Sequence, residues 1–283
     1  MEKLTHISND LKEWIVNTLK TGANPEMIAN AMIKKGFDPI FAYKVLLKLV
    51  NNQPVQTSGG NMPLYKYETP EIGKKGTILS TSDRDIKVLM RIEKPFTLYL
   101  ENVLSEQECD ELIELSKNRL KPSRVVDNVT GEIKAAPGRT SSGMYFRLEE
   151  TPLIGRIERR IEELTNIPIE NGEGLQVLHY KEGEEYKPHF DYFPESKIQE
   201  STGGQRIATV LIYLNDVPAG GETIFPKAGV SVTPKKGSAV YFHYGNSEGQ
   251  VDRLSLHSSI PVAEGEKWVS TKWLRQSEIL DRT

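Results

Sequence analysis

The sequence predicts a mainly β domain of the antiparallel sandwich or barrel class, to which the jelly roll belongs, preceded by a small all-α domain. From residue 174 onward the chain runs through GLQVLHY, EYKPHFDYF, RIATVLIYL, TIF, VSV, SAVYFHY, LSLHSSIPV and KWVSTKWL, short stretches rich in β-branched and aromatic residues. The turn signals GEE, GGQ, AGGE, KKG, GNSEG and AEGE separate them. Near the N-terminus, by contrast, apolar residues recur at the helical period.

Residues 11 to about 50 read as short helices, LKEWIVNTLK, NPEMIANAMIKKG and DPIFAYKVLLKLV. Asn24 and Asp38 are N-caps, each followed by proline at the first helical position, and Gly22 and Gly36 are terminators. Leu11, Trp14, Ile15, Leu19, Ile28, Met32 and Ile33 form a stripe of the kind that packs a core. The stretch NNQPVQTSGGNMPLYKYETP is rich in Asn, Gly, Pro and Ser and reads as linker. The expected division is a helical domain over 1–53, a linker over 54–85 and the main domain over 86–283. In the last, strand-like IKVLMRIEKPFTLYLENV leads into the helix SEQECDELIELSKNRL, opened by a Ser105/Glu108 capping box. A second helix, TPLIGRIERRIEELTN, starts at Thr151 and Pro152. Between these helices the polar segment Lys121 to Arg139 is long enough to predict a lid.

The chain has 283 residues and a formal net charge of -3, which gives nothing for a phosphate backbone or an anionic membrane surface to hold. No nucleic-acid or membrane partner is expected. MEKLTHISNDLKEW lacks the apolar core of a signal peptide, and no apolar run reaches bilayer length, so a soluble cytoplasmic protein is expected. Cys109 is the single cysteine, which excludes an intrachain disulfide and a cysteine-built zinc site. Any metal must be held by His, Asp or Glu.

YKPHFDYF sets His189 and Asp191 two apart among aromatic residues. In a strand these side chains project to one face, which makes half of a metal site. Of the other histidines, His6 lies near the N-terminus, His179 shares a strand face with Leu175 and Val177, His243 follows the apolar run AVYF, and His257 sits in LSLHSSIPV. For each, a hydrogen-bonded structural role competes with ligation. Two imidazoles and a carboxylate on one face of iron leave positions open, the arrangement of non-haem Fe(II) oxygenases. A 2-oxo acid would chelate there beside O2, and its far carboxylate would need a cation in a dry site. Lys267, in GEKWVSTKW, is a candidate; a snorkelling surface lysine is the alternative.

With these residues assembled, the chain from about Arg91 to Arg275 resembles the prolyl 4-hydroxylase family of Fe(II)/2-oxoglutarate dioxygenases. LHYKEGEEYKPHFDYF is similar to the family's first iron-binding block, GGQRIATVLIYLNDVPAGGETIFP to its central strands and LSLHSSIPVAEGEKWVSTKW to its closing block. The resemblance implies a double-stranded β-helix (jelly-roll, cupin-like) catalytic domain. It implies His189, Asp191 and His257 as iron ligands, Lys267 on the distal carboxylate of 2-oxoglutarate, and Tyr180 and Thr223 hydrogen-bonded to the same co-substrate. Tyr186, Arg206 and Trp273 match positions lining the peptide groove, and Arg139 the edge of the loop. Tyr186 stands three residues before His189, so only a bulge or bend near Pro188 brings it to the same side.

The implied reaction is hydroxylation of a peptidyl proline, most simply at the 4 position, coupled to decarboxylation of 2-oxoglutarate to succinate and CO2, with Fe(II), O2 and the reductant L-ascorbate. The implied partner is a proline-containing peptide or protein, and a homodimer is compatible with the sequence. Rival readings are an inactive scaffold for proline-rich peptides and a hydrolase using the same ligands. Asp191 favours hydroxylation over halogenation, since relatives that halogenate have a small residue there. Ser258 and Ser259 depart from the small residues that many relatives carry after the last histidine. The N-terminal MIKKGFD pattern resembles small three-helix peptide-binding domains.

Overall fold

A computed structural model of the chain describes residues 9–20, 23–52, 65–126, 133–135 and 138–280. It divides into two compact units, Met1–Leu64 and Tyr65–Thr283. The first contains helices Asn9–Lys20, Pro25–Lys34 and Pro39–Asn52. Asn24 accepts the Glu26 N–H at 2.9 Å and Asp38 the Phe41 N–H at 3.0 Å, so each cap satisfies a backbone donor left orphaned by the first turn. Gly36, at φ +93, ends the second helix in a conformation that side chains resist. Ile15, Ile28, Met32 and Leu46 are buried, with Leu11, Leu19 and Ile33 packed against them. Trp14 departs from the expected stripe: it is 50% exposed, because Ile15 takes the core-facing position. His6 and Gly22 lie outside the described residues.

The second unit begins earlier than the expected boundary. Residues 65–85, read from the sequence as linker, include the helix Glu71–Lys74 and the strand Ile78–Ser80, which forms a hairpin with Asp85–Glu93. Ile72 and Leu79, each 1% exposed, anchor this segment in the core. Its remaining residues are mostly polar, so no period marks it in the sequence.

A nine-stranded sheet runs in the order Ile78–Ser80, Asp85–Glu93, Phe96–Glu101, Ala239–His243, Arg206–Tyr213, Lys267–Arg275, Gln176–Tyr180, Ser142–Tyr145, Lys121–Pro122. A four-stranded sheet runs Val230–Val232, Thr223–Phe225, His257–Ser259, Tyr186–His189. Leu178, Tyr180, Tyr213, Phe242 and Val269 of the large sheet share one core with Phe225 and Val232 of the small one. This is an antiparallel sandwich, the class that the short punctuated strands predict, in the jelly-roll form that the resemblance implies. The other face of the large sheet carries Val177, Ala208, Val210 and Ile212, which pack with Leu112, Ile154, Ile157 and Ile161 of helices Glu106–Lys117 and Pro152–Thr165. Burial on both faces explains why strands such as RIATVLIYL are nearly continuous in apolar residues rather than alternating.

Both helices start where their caps predict. Ser105 and Glu108 form the reciprocal capping box, and Thr151 accepts the Ile154 N–H at 3.2 Å. Glu158, on the second helix, pairs with Lys272 on the closing strand, both 1% exposed, and so pins the strand that carries Lys267 and Trp273. Of the expected lid, Arg124–Val126 and Ile133–Ala135 pair as a hairpin, while 127–132 and 136–137 lie outside the described residues. No helix among the described residues is long and apolar enough to cross a membrane.

Candidate metal centre

His189, Asp191 and His257 converge, each offering a ligand atom within 4.8 Å of the others. His189 Nε2 is 3.5 Å from Asp191 Oδ1 and His257 Nε2 is 3.7 Å from Asp191 Oδ2. The register explains the meeting, because His257 lies directly opposite His189 in the small sheet. One detail differs from expectation: the strand ends at His189, and Asp191 comes from the bend that follows. That bend lets the carboxylate swing toward both imidazoles.

Each ring is fixed by its other nitrogen. His189 Nδ1 is 2.9 Å from the Lys187 carbonyl and His257 Nδ1 3.0 Å from the Ser255 carbonyl. A carbonyl only accepts, so both Nδ1 atoms carry the proton and both Nε2 lone pairs face the centre. Asp191 Oδ2 accepts from Thr209, whose hydroxyl is 3.0 Å from Tyr244 Oη. Burial would raise the Asp191 carboxyl, but His257, His189 and Arg206 outweigh it and hold it below the usual range. Burial lowers His257 to about 4, so its imidazole is neutral at neutral pH, the form that binds metal. Two imidazoles and a carboxylate grouped on one side fit a divalent iron that keeps positions open for other ligands.

All the sequence-predicted site residues except Arg206 line one cavity at this centre. The bulge that Tyr186 required is present. A two-residue step on the partner strand, from His257 to Ser259, faces a three-residue step from His189 back to Tyr186. It brings the Tyr186 ring onto His189 with centroids 3.5 Å apart. Arg139 bridges backbone with Tyr186, its guanidinium lies 4.7 Å from that ring, and it donates to Ser141 and Gln176.

Lys267 is 1% exposed and opens the closing strand of the large sheet, directly opposite Tyr180. Val262–Glu264, which pairs with Ala219–Gly220, separates it along the chain from the strand of His257. Its ammonium donates to the Gly221 carbonyl at 2.5 Å and to Ser259 Oγ at 2.7 Å. Among the described residues no carboxylate forms a salt bridge with it. Gly221, at φ +72, carries the turn ahead of Thr223, which is 2% exposed and accepts from Tyr213 Oη at 2.8 Å. Ser258 and Ser259 both line the cavity.

Arg206 is not among the residues lining that cavity, though it touches one of them, Trp273. Glu173 takes it by a two-pronged ion pair, with both distances 2.6 Å, and the Asp191 carbonyl accepts from it at 3.1 Å. Its guanidinium stacks 3.9 Å from the Trp273 ring and 4.5 Å from Phe193. Arg275 shares Glu173. Burial would raise the Glu173 carboxyl, but Arg206 and Arg275 hold it below the usual range. Trp273, 7% exposed, has an indole N–H without a partner among the described residues. Sequence reasoning missed Thr209, Tyr244 and Glu173. A polar residue inside RIATVLIYL is a signal for Thr209; Glu173 sits in an irregular stretch before the strand Gln176–Tyr180 and has none. His179 and His243 serve elsewhere: the first stacks on Trp268 and bonds Glu266, and the second bonds Tyr241.

Comparison with known proteins agrees with this geometry. Residues 175–275 match the family described as the 2OG-Fe(II) oxygenase superfamily. The chain is 44% identical over 204 residues to prolyl 4-hydroxylase 5 of Arabidopsis thaliana, a match covering 65% of this chain and 70% of that protein. It is 42% identical over 232 residues to prolyl 4-hydroxylase 2 of the same plant, covering 75% of this chain and 76% of that one. Among solved structures it is similar to a viral collagen prolyl hydroxylase from Paramecium Bursaria Chlorella virus-1 in its 2OG complex. That match has a TM-score of 0.52 at 27% identity and covers 63% of this chain and 95% of the other.

Proposed function

The chain belongs to the prolyl 4-hydroxylase family of Fe(II)/2-oxoglutarate dioxygenases, and from that premise we propose that His189, Asp191 and His257 hold its iron while Lys267 holds its co-substrate. The reaction is hydroxylation of a peptidyl proline, at the 4 position, coupled to decarboxylation of 2-oxoglutarate to succinate and CO2. The observation that carries this reading is Lys267. A buried ammonium without an ion-pair partner among the described residues, lining the same cavity as the metal cluster, suits an anionic chelator of that metal. Hydrolysis would give Lys267 and Thr223 no task.

Iron(II) supplies the activation of O2 and the removal of hydrogen from the proline ring when bound with 2-oxoglutarate. The protein supplies position. The Lys187 and Ser255 carbonyls aim the imidazoles, Thr209 and Arg206 steady Asp191, and Lys267 and Thr223 receive the distal carboxylate beside Tyr180. Tyr186, Arg139 and the indole N–H of Trp273 form the wall against which the peptide lies, with Arg206 as support. L-Ascorbate is the proposed reductant. A reducing compartment, the cytoplasm, is the proposed location, which suits a chain whose single cysteine is buried.

The test is a titration of Fe(II) and 2-oxoglutarate into the protein without oxygen. A weak visible charge-transfer band develops in the wild type and is lost in Asp191→Ala, whose fold persists by circular dichroism. A wild type with no such band, or an Asp191→Ala protein with an unchanged band, contradicts the assignment.

A further inference from the structure

We propose that Ser259 is a co-substrate residue: its hydroxyl fixes the Lys267 ammonium and adds a second donor for the distal carboxylate of 2-oxoglutarate. This rests on the function proposed above. An ammonium has three N–H groups. In Lys267, Gly221 O takes one at 2.5 Å and Ser259 Oγ takes another at 2.7 Å. The remaining one has no hydrogen-bond partner among the described residues and is left for a ligand. Ser259 accepts from Lys267, so its own O–H is free to donate. Thr223 accepts from Tyr213 in the same way and also keeps its proton.

These donors converge because of strand register. Ser259 lies directly opposite Thr223 in the small sheet, so both hydroxyls project to one side. Lys267 reaches them across the sandwich, and all three line the same cavity. Ser259 is 8% exposed and Lys267 1%, so bulk water does not compete for these bonds. The nearby carboxylate, Glu222, acts on Lys267 only through space, and its buried Oε2 has no hydrogen-bond partner among the described residues. A cluster of fixed donors with no bonded anion among the described residues is complementary to a carboxylate at a set distance from the metal. It therefore selects a five-carbon 2-oxo diacid over a 2-oxo acid that lacks the second carboxylate.

The full chain, loaded with Mn(II) in place of iron, is titrated with 2-oxoglutarate and separately with pyruvate for wild type, Ser259→Ala and Ser259→Thr, with Mn(II) affinity measured alone. Ser259→Ala should weaken 2-oxoglutarate binding roughly tenfold or more, the effect of removing a hydrogen bond to a charged group. Pyruvate and Mn(II) binding should not change, and Ser259→Thr should restore most of the loss by keeping the hydroxyl. Equal 2-oxoglutarate affinity in Ser259→Ala overturns the assignment. So does a parallel loss of pyruvate or Mn(II), which marks a structural residue, or a failure of Ser259→Thr to rescue. A wild type that does not bind 2-oxoglutarate removes the proposed function itself, and so the two failures are distinguishable.

Discussion

Lys267 shows how far one residue's environment can be converted into an expected titration. Burial lowers its ammonium to about 7, only partly offset by Glu222. The co-substrate's carboxylate requires the charged form, and its arrival raises the lysine's pKa. Binding is therefore at full strength below about pH 7 and falls by up to tenfold per pH unit above it, until the bound-state pKa is reached. Lys267→Ala should lose roughly 3–5 kcal/mol of 2-oxoglutarate affinity and with it the pH dependence, while metal binding persists. Lys267→Arg should rescue only part, since a planar fork does not replace a compact ammonium. Calorimetric titrations from about pH 6 to 9 check this, and a flat wild-type profile would contradict it. The sequence could nominate this lysine from its place after His257, but not its burial, which depends on the Gly221 turn folding over it.

At the scale of elements, the site depends on a bulge and a clamp. The bulge between Tyr186 and His189 was legible only as a requirement: Pro188 made it reasonable, and pairing with His257–Ser259 produces it. The metal ligands were legible because they lie in one short motif and one strand. Glu173 was not, since its partners Arg206 and Arg275 lie on strands far along the chain, and no local pattern links a glutamate in an irregular stretch to them. Its carboxylate offsets two largely buried guanidinium groups, one of which holds the Asp191 backbone. Glu173→Gln should cost roughly 3 kcal/mol or more of stability, because it leaves those charges without a counter-ion. The sign of the pH effect follows from the lowered carboxyl. In the wild type this contribution is present above the ordinary carboxylate pKa and is lost as pH falls through the lowered folded value; the variant lacks it throughout. Thermal melts at neutral and acid pH check both points, and equal melting temperatures at neutral pH would mean that the clamp adds no stability.

For the whole molecule, strand punctuation marked the antiparallel sandwich or barrel class and the family resemblance the jelly roll, whereas the domain boundary lies earlier than composition suggests. Residues 65–85 belong with the catalytic unit: Tyr65 donates to the Gly245 carbonyl, Lys66 to Gln250, and Ser247 to Glu68. Such bonds join distant parts of the chain and leave no mark on a polar segment. A protein starting at Tyr65 should fold and bind Fe(II) and 2-oxoglutarate, whereas one starting at Ile86 should melt lower or aggregate; equal stability of the two would return the segment to linker. The most direct test of the central claim uses isotopically labelled O2 with a proline-rich peptide, Fe(II) and 2-oxoglutarate. The account predicts one labelled oxygen in hydroxyproline and the other in succinate, in equal amounts. Hydroxyproline carrying oxygen from water, or peptide cleavage without succinate, would contradict it.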